Sequence, residues 1–195
     1  MRASLGGQTL PLPREVLTCI SERDSGMWND TDIPLAYLIT FRCHGTWLHG
    51  DERGSTDRSH NRYKSPYISP SEEWRQYNAG KLKGEPVTLD AARRESVEAA
   101  VRETCASRNW LLRAINVRTN HVHVVVSTGG TKPERALNAF KANATRQMRQ
   151  DGFWQRPHSP WADKGSERRL WNERSVERAV DYVINGQGDE LPDFD

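Results

Sequence analysis

The stretch Asn120-His121-Val122-His123-Val124-Val125-Val126 places two histidines at the start of a run of β-branched residues. Such residues favour strands, and the side chains of a strand alternate between its two faces. His121 and His123 therefore project to the same side, about 7 Å apart along the strand. Two imidazoles on one face can share a metal ion. An amphipathic strand that carries histidines by chance would show the same pattern. The flanking sequence is therefore needed to distinguish a metal site from an ordinary strand.

Two more strands are predicted around this stretch. Residues 110–118 alternate in the manner of a strand, and Thr119-Asn120 is typical of a turn, so the histidines begin the second arm of a hairpin. Residues 35–42 form an apolar run that is long enough for a central strand. Residues 153–171 predict a loop with a short strand at its end.

Three helices complete the predicted fold. Residues 90–105 show an apolar stripe, and residues 133–150 show another between Pro133, which suits a first helical turn, and Gly152. A last helix follows Asn172 as N-cap. The order of these elements predicts an α+β, ferredoxin-like sandwich, in which an antiparallel sheet carries its helices on one face.

Size and composition limit the class of protein. A chain of 195 residues predicts one domain of ordinary size with appendages. The three cysteines are widely spaced, which favours a reducing compartment and argues against a structural zinc site. No apolar run reaches transmembrane length and no signal peptide is evident, so a cytoplasmic protein without membrane contact is expected. The net charge of +2 does not by itself indicate a nucleic-acid binder.

The predicted organisation has three parts. Residues 1–33 are interpreted as a partly disordered N-terminal extension, residues 34–188 as the main domain, and residues 189–195 as an acidic tail. A long insertion is expected at about residues 50–86. Its tyrosines and tryptophan lie among basic residues, so they could stack on unpaired bases, or they could pin a loop to the surface.

Tyr182 is the candidate nucleophile. The apolar positions of the last helix form one stripe, and Tyr182 falls outside it, on the side of Arg178 and Asn185. A core tyrosine would belong to the stripe. Its placement therefore favours a functional role.

These features together resemble the single-tyrosine HUH transposases of small insertion sequences, and especially their REP-associated, domesticated relatives. The resemblance rests on His121-Val122-His123 in a strand, on Tyr182 in the last helix and on the early strand at 38–42, and it spans about residues 34–188. It implies that the histidines lie on a strand of the sheet and hold Mg²⁺ or Mn²⁺ with a third ligand. It also implies that Tyr182 attacks a DNA phosphodiester to give a 5′-phosphotyrosine link and a free 3′-OH.

The third metal ligand departs from the family pattern. In the family a polar residue tends to lie one helical turn after the tyrosine, and here that position is Gly186. If Gly186 ends the helix in a left-handed cap, Gln187 could turn back toward the metal. Gln187 is therefore the predicted third ligand.

A phosphate track is predicted on the helix over residues 133–150, whose polar side is nearly free of acids. A solvent-exposed helix face without a role in DNA binding would show the same residue pattern. Seven basic residues are the predicted DNA contacts. They lie on this helix, in the later arginine pair and on the last helix: Arg135, Lys141, Arg146, Arg149, Arg168, Arg169 and Arg178.

Three functions fit the sequence. The first is metal-dependent nicking and strand transfer on single-stranded DNA at hairpins or repeats, by a chain that resembles the monomeric REP-associated enzymes more than the dimeric ones. The second is a non-catalytic protein that binds hairpin DNA. The third is a metallohydrolase for a small substrate, which the nearly acid-free helix disfavours.

Overall fold

Two strands at the centre of the sheet organise the structure. The computed structural model describes residues 33–52, 54 and 68–186. β1 and β3 are almost entirely buried, because both faces of the sheet are covered. In chain order the elements are β1 (Ala36–Cys43), α1 (Glu72–Gly80), α2 (Ala91–Ser107), β2 (Leu111–Val117), β3 (His121–Ser127), α3 (Pro133–Gln150), β4 (Trp161–Leu170) and α4 (Glu173–Ile184).

The sheet has the strand order β2-β3-β1-β4, and each neighbouring pair is antiparallel. With α2 between β1 and β2 and α3 between β3 and β4, the core follows the β-α-β-β-α-β pattern of ferredoxin-like folds. The predicted α+β class is confirmed. The predicted hairpin is present as β2 and β3, and α2 and α3 begin and end within two residues of their predicted bounds.

The two faces of the sheet are covered differently. Side chains of α2 and α3, among them Val97 and Phe140, pack with Ile39 and Val124 on one face. Side chains of α4 pack with Leu38, Val125 and other residues on the opposite face. The expectation that the helices share one face therefore needs correction for α4. Its apolar stripe needed a surface to cover, and the second face of the sheet supplies one.

Strand β4 is the largest departure from the sequence-based expectation. The predicted loop with a short terminal strand is instead a strand of ten residues that pairs with β1 along most of its length. Its polar residues show no alternation because β4 is an edge strand with an exposed middle. Gly165 is required there, since a Cβ atom would lie 2.6 Å from the carbonyl oxygen of Thr40.

The predicted insertion at residues 50–86 contains a helix, α1, that the sequence analysis missed. Ser71 caps it by accepting a hydrogen bond from the Trp74 amide, and none of its residues is buried. Trp74 is 41% exposed and stacks on His49, and Tyr77 is 57% exposed. Tyr63 and Tyr67, the predicted extension except for Ile33, and the predicted acidic tail lie outside the described residues.

No helix within the described residues is long and apolar enough to cross a membrane.

Lys141 is corrected from a surface cation to a buried structural residue. Its side chain lies under β4, and its Nζ donates to the carbonyl oxygens of Ala162 at 2.7 Å, Lys164 at 3.0 Å and Asp163 at 3.3 Å. Burial lowers the pKa of its ammonium. The helical period predicted Lys141 on the polar side of the helix, but its long side chain reaches under the edge strand instead of into solvent.

Replacing Lys141 with Met should lower the free energy of unfolding by about 1–3 kcal/mol, because three carbonyl oxygens on β4 would lose their charged donor. Urea denaturation followed by far-UV circular dichroism measures the change. The matched control is Arg146→Met, at an exposed cation of the same helix, which should change the stability by less than about 0.5 kcal/mol. Equal stability of Lys141→Met and the wild type would contradict the structural role.

Candidate active site

The candidate site lies on the sheet face that α4 covers. Strand alternation places Val122 and Val124 on the other face, in the core with α2 and α3, and so directs His121 and His123 toward α4. His123 is opposite Thr40 on β1 and Asn116 on β2. The histidines therefore lie on a central strand, where neighbours on both sides hold them in place.

The two imidazoles lie close enough to bind one ion. Their ring centroids are 4.7 Å apart, with an angle of 80° between the ring planes. His123 Nδ1 lies 2.7 Å from Thr40 Oγ1, and His121 Nδ1 lies 2.6 Å from Asn120 Oδ1. Metal-binding histidines usually use one ring nitrogen for such a hydrogen bond and the other for the metal. Nε2 would thus be the metal-binding nitrogen of each ring.

His123 is kept neutral by its surroundings. It is 6% exposed, and burial, followed by the charges of His121, Arg42 and Arg118, lowers its pKa to about 3. A metal can bind an imidazole only in its neutral form. His123 is therefore in the metal-binding protonation state throughout the neutral pH range.

This lowered pKa should make stability depend on pH. An unfolded chain gains a proton at His123 near pH 6.5, whereas the folded chain stays neutral there down to about pH 3. The unfolded state thus binds more protons between these values, and stability falls as the pH decreases. With EDTA present, the wild type should lose about 2 kcal/mol more between pH 7 and pH 5 than His123→Asn does. Denaturant titration of both proteins at the two pH values tests this, and parallel losses would contradict it.

Tyr182 on α4 contacts His123. Its ring is half-buried, and its centroid lies 5.6 Å from that of His123, with an angle of 81° between the planes. The expectation that Tyr182 faces away from the apolar stripe is corrected, because its ring packs at the edge of the core cluster beneath α4. One side of the ring is thus fixed by packing.

Two interactions set the position of α4. The predicted N-cap is present: Asn172 Oδ1 accepts from the Ser175 amide at 2.8 Å, and Ser175 Oγ accepts in return from the Asn172 amide. At the other end, Asn116 Nδ2 donates to the carbonyl oxygen of Val183 at 2.9 Å. Asn116 is the β2 residue opposite His123, so this bond joins the helix beside Tyr182 to the row of residues that holds the histidine.

The left-handed cap that the sequence analysis considered at Gly186 is absent. Helix α4 ends at Ile184, and the Gly186 amide still donates to the carbonyl oxygen of Tyr182 at 3.0 Å, in the manner of a continuing helix. Gly186 is not among the glycines with positive φ. A Cβ atom there would lie 3.0 Å from Cδ2 of Tyr182, so the glycine allows close packing of the ring. Gln187, the predicted third ligand, lies outside the described residues.

Two histidines of the described part of the chain fit a divalent ion. They are close together, and each has its Nδ1 hydrogen-bonded to a side-chain oxygen. Residues 33–52, 54 and 68–186 contain no group of three or more His, Cys, Asp or Glu side chains that could hold a metal. The remaining ligands would thus have to come from substrate, water, amide or hydroxyl oxygens.

The predicted DNA contacts divide between the two faces of the sheet. Arg168 pairs with Leu38 and so shares the face of the histidines, and Arg178 is one helical turn before Tyr182. Arg169 is on the other face of the sheet, where it pairs with Tyr37 across the β1–β4 ladder. Arg135, Arg146 and Arg149 are exposed on α3, which also covers that opposite face, and Arg149 donates to the carbonyl oxygens of Arg156 and Pro157.

Two arginines near the histidines were missed by the sequence analysis. Arg42 pairs with His121 across the β1–β3 ladder, and its guanidinium lies 3.3 Å from the centroid of the Trp47 ring. The amide of Arg118 donates to the carbonyl oxygen of His121. Both charges lower the pKa of His123. The alternation of β1 could have identified Arg42, because it shares a face with Thr40.

Comparison with known proteins shows a family that part of the chain resembles. Residues 83–175 match the family model described as Transposase IS200 like. The predicted resemblance is confirmed. The matched residues include His121 and His123 but end before Tyr182, and the match supports a transposase-like function.

Two solved structures are similar to this chain. One is a REP-associated tyrosine transposase bound to a REP hairpin, with 11% identity and a TM-score of 0.47 over 86% of this chain and 72% of that one. The other is a candidate transposase from Deinococcus radiodurans R1, with 13% identity and a TM-score of 0.44 over 85% of this chain and 97% of that one. No curated protein matches the chain.

Proposed function

We propose that the chain nicks single-stranded DNA at hairpin or repeat sequences and transfers the strand through a 5′-phosphotyrosine intermediate at Tyr182. The observation that carries this proposal is the contact between the Tyr182 ring and His123, beside His121. A phenol next to a pair of imidazoles combines a nucleophile with a candidate metal site. All three side chains come from one chain, which supports a protein that acts as a monomer.

The histidines would hold the cofactor, Mg²⁺ or Mn²⁺, through Nε2. When bound, such an ion polarises the scissile phosphate and stabilises its developing charge. Thr40 and Asn120 orient the two imidazoles through Nδ1, and burial keeps His123 uncharged. These residues prepare the ligands before any substrate arrives.

Tyr182 would act as the nucleophile. Its phenolic oxygen loses its proton and forms a bond to phosphorus while the bond from phosphorus to the 3′ oxygen breaks. The departing oxygen takes up one proton as a 3′-OH, so the step transfers no net proton. The phosphotyrosine conserves the energy of the diester, so a second 3′-OH can reverse the attack and join a new strand. Packing of the Tyr182 ring against the sheet and Gly186 limits its motion, which favours in-line attack.

The alternative function is binding of hairpin DNA without cleavage. It is favoured by the lack of a cluster of three metal-ligand residues within the described part of the chain. A nicking assay on single-stranded hairpin oligonucleotides with Mn²⁺, comparing the wild type with Tyr182→Phe, separates the two functions. Nicking by the wild type alone supports the nuclease, whereas binding by both proteins without nicking supports the alternative.

Arginines on the face of the histidines should contribute to the salt dependence of DNA binding. Each lost phosphate contact reduces the slope of log K against log salt concentration by roughly one unit. The double variant Arg168→Gln, Arg178→Gln should therefore flatten this slope by about two units. Fluorescence anisotropy of a labelled hairpin, measured over a range of salt concentrations, gives the slope.

A second double variant tests the predicted track on α3. Arg135→Gln, Arg146→Gln removes the same charge from the opposite side of the sheet. If the DNA strand wraps around β4, this variant should also reduce the slope of log K against log salt concentration. An unchanged slope with the first pair, together with weakened binding, would point to base contacts or misfolding instead of phosphate contacts.

A further inference from the structure

A pocket of about 310 Å³ lies away from the histidine pair, at the other end of β1. Tyr37 lies three residues before Thr40, or about 10 Å along the strand, and its ring is on the face of α2 and α3. The pocket is therefore separated from Tyr182 by the sheet. Its walls are formed by Ile33, Pro34, Tyr37, Gly129, Gly130, Lys132, Pro133, Glu134 and Arg169.

Tyr37 contributes a hydroxyl group to the pocket. Its side chain lines the pocket and is 5% exposed. A phenolic hydroxyl can both donate and accept a hydrogen bond. A molecule in the pocket can therefore form a hydrogen bond with Tyr37.

Charges of both signs surround this hydroxyl. Burial raises the pKa of Tyr37, while Arg169 lowers it and Glu134 raises it, so both charges act on the phenol. Within residues 33–52, 54 and 68–186, Arg169 and Glu134 form no ion pair with each other. Both side chains are exposed at the pocket and can hydrogen-bond to a ligand.

The start of α3 adds a place for a phosphate. Pro133 is the first residue of this 18-residue helix, and Lys132 at the N-cap position makes no capping hydrogen bond through its side chain. The dipole of a helix attracts anions to its N-terminus. Pro133 has no N–H group and the Arg135 amide donates to the carbonyl oxygen of Lys132, so the dipole and the Glu134 amide are what this end of α3 offers. Gly129 and Gly130, which precede the helix, have open space at their Cβ positions, so a ligand can approach the backbone.

We propose that this pocket binds one unpaired guanine nucleotide of the DNA strand. The inference rests on the proposed function for its macromolecular substrate. Guanine offers the acceptors O6 and N7 to an arginine such as Arg169, and the donors N1–H and N2–H₂ to a carboxylate such as Glu134. Other bases do not present two acceptors together with two donors in this way. Pro34 and Pro133 provide apolar walls for the base.

The edge strand connects this pocket to the active site. Arg168 and Arg169 are neighbours on β4, and strand alternation directs them to opposite faces of the sheet. β4 is the outermost strand, with β1 as its partner. Single-stranded DNA that passes over this edge can therefore contact Arg168 on the active-site face and Arg169 in the pocket.

Titration with deoxymononucleotides tests the pocket without DNA cleavage. In a ¹⁵N-labelled protein, dGMP should shift the amide resonances of Gly129 and Gly130 and bind about tenfold more tightly than dAMP, dCMP or dTMP. Tyr37→Phe and Glu134→Gln should each weaken dGMP binding several-fold, and Arg169→Gln about tenfold. The control is Arg102→Gln, at an exposed arginine paired with Glu98 on α2, which should bind dGMP normally.

The outcomes separate this inference from the proposed function. Equal binding of all four nucleotides would show a phosphate site and overturn the assignment of guanine, and no shift at Gly129 or Gly130 would overturn the pocket itself. If the wild type nicks hairpins but dGMP does not bind, the inference fails and the proposed function stands. If dGMP binds selectively but Tyr182 forms no adduct, the pocket is supported and the nuclease is not.

Discussion

Tyr182→Phe should abolish a covalent protein–DNA adduct that resists denaturation, while hairpin binding remains close to that of the wild type. The substitution keeps the ring that packs against His123 and the core beneath α4, and it removes only the hydroxyl. Without a nucleophilic oxygen no phosphotyrosine can form, so the loss should be complete within the detection limit. Denaturing gel electrophoresis of labelled hairpins incubated with Mn²⁺ measures the adduct, and anisotropy measures binding.

Mass spectrometry of the adduct peptide identifies the nucleophile. Tyr37 is buried on the other face of the sheet, and Tyr77 is an exposed residue of α1 whose hydroxyl accepts a hydrogen bond from Lys81. Tyr77→Phe is therefore the matched control and should leave the adduct unchanged. A nucleotide on Tyr63, Tyr67 or Tyr77 would overturn the assignment, and no adduct with any hairpin or metal tested would favour the binding-only function.

The histidine pair was predictable because it depends on a local rule. Alternation along a strand places His121 and His123 on one face whatever the rest of the fold does. The approach of Tyr182 to His123 was not predictable in the same way, because it depends on which face of the sheet α4 covers. The helical period placed the Cα atom of Tyr182 outside the apolar stripe of α4. In the structure its ring packs at the edge of that stripe.

Errors in the predicted DNA contacts have a related cause. The helical period predicts the side of the helix on which the Cα atom of a residue lies. It does not predict where the end of a long side chain lies. Lys141 was predicted on the polar side of α3, and its ammonium reaches three carbonyl oxygens of β4. Since β4 lacks an apolar pattern, its position over Lys141 could not be predicted, nor could the opposite orientations of Arg168 and Arg169 around the sheet edge.

Mn²⁺ binding should be lost in the double variant His121→Ala, His123→Ala. The two rings are the proposed metal ligands, and the ring of His123 contacts Tyr182. The side-chain amide of Asn120 and the hydroxyl of Thr40 hold the two rings in place. Removing both leaves no imidazole there, so calorimetric titration should show no heat of binding at this site. His121→Ala alone, at a half-buried residue, should weaken binding by at least tenfold with less disturbance of the core.

A second histidine pair provides the control. His44 and His158 have ring centroids 6.3 Å apart and lie on the loops that follow β1 and precede β4, not on β3. The variant His44→Gln, His158→Gln should therefore bind Mn²⁺ as the wild type does. Circular dichroism confirms that each variant is folded before the titrations are compared. Unchanged binding in a folded His121→Ala, His123→Ala protein would exclude the pair as the metal site, because the two ligands that define the site would then be dispensable.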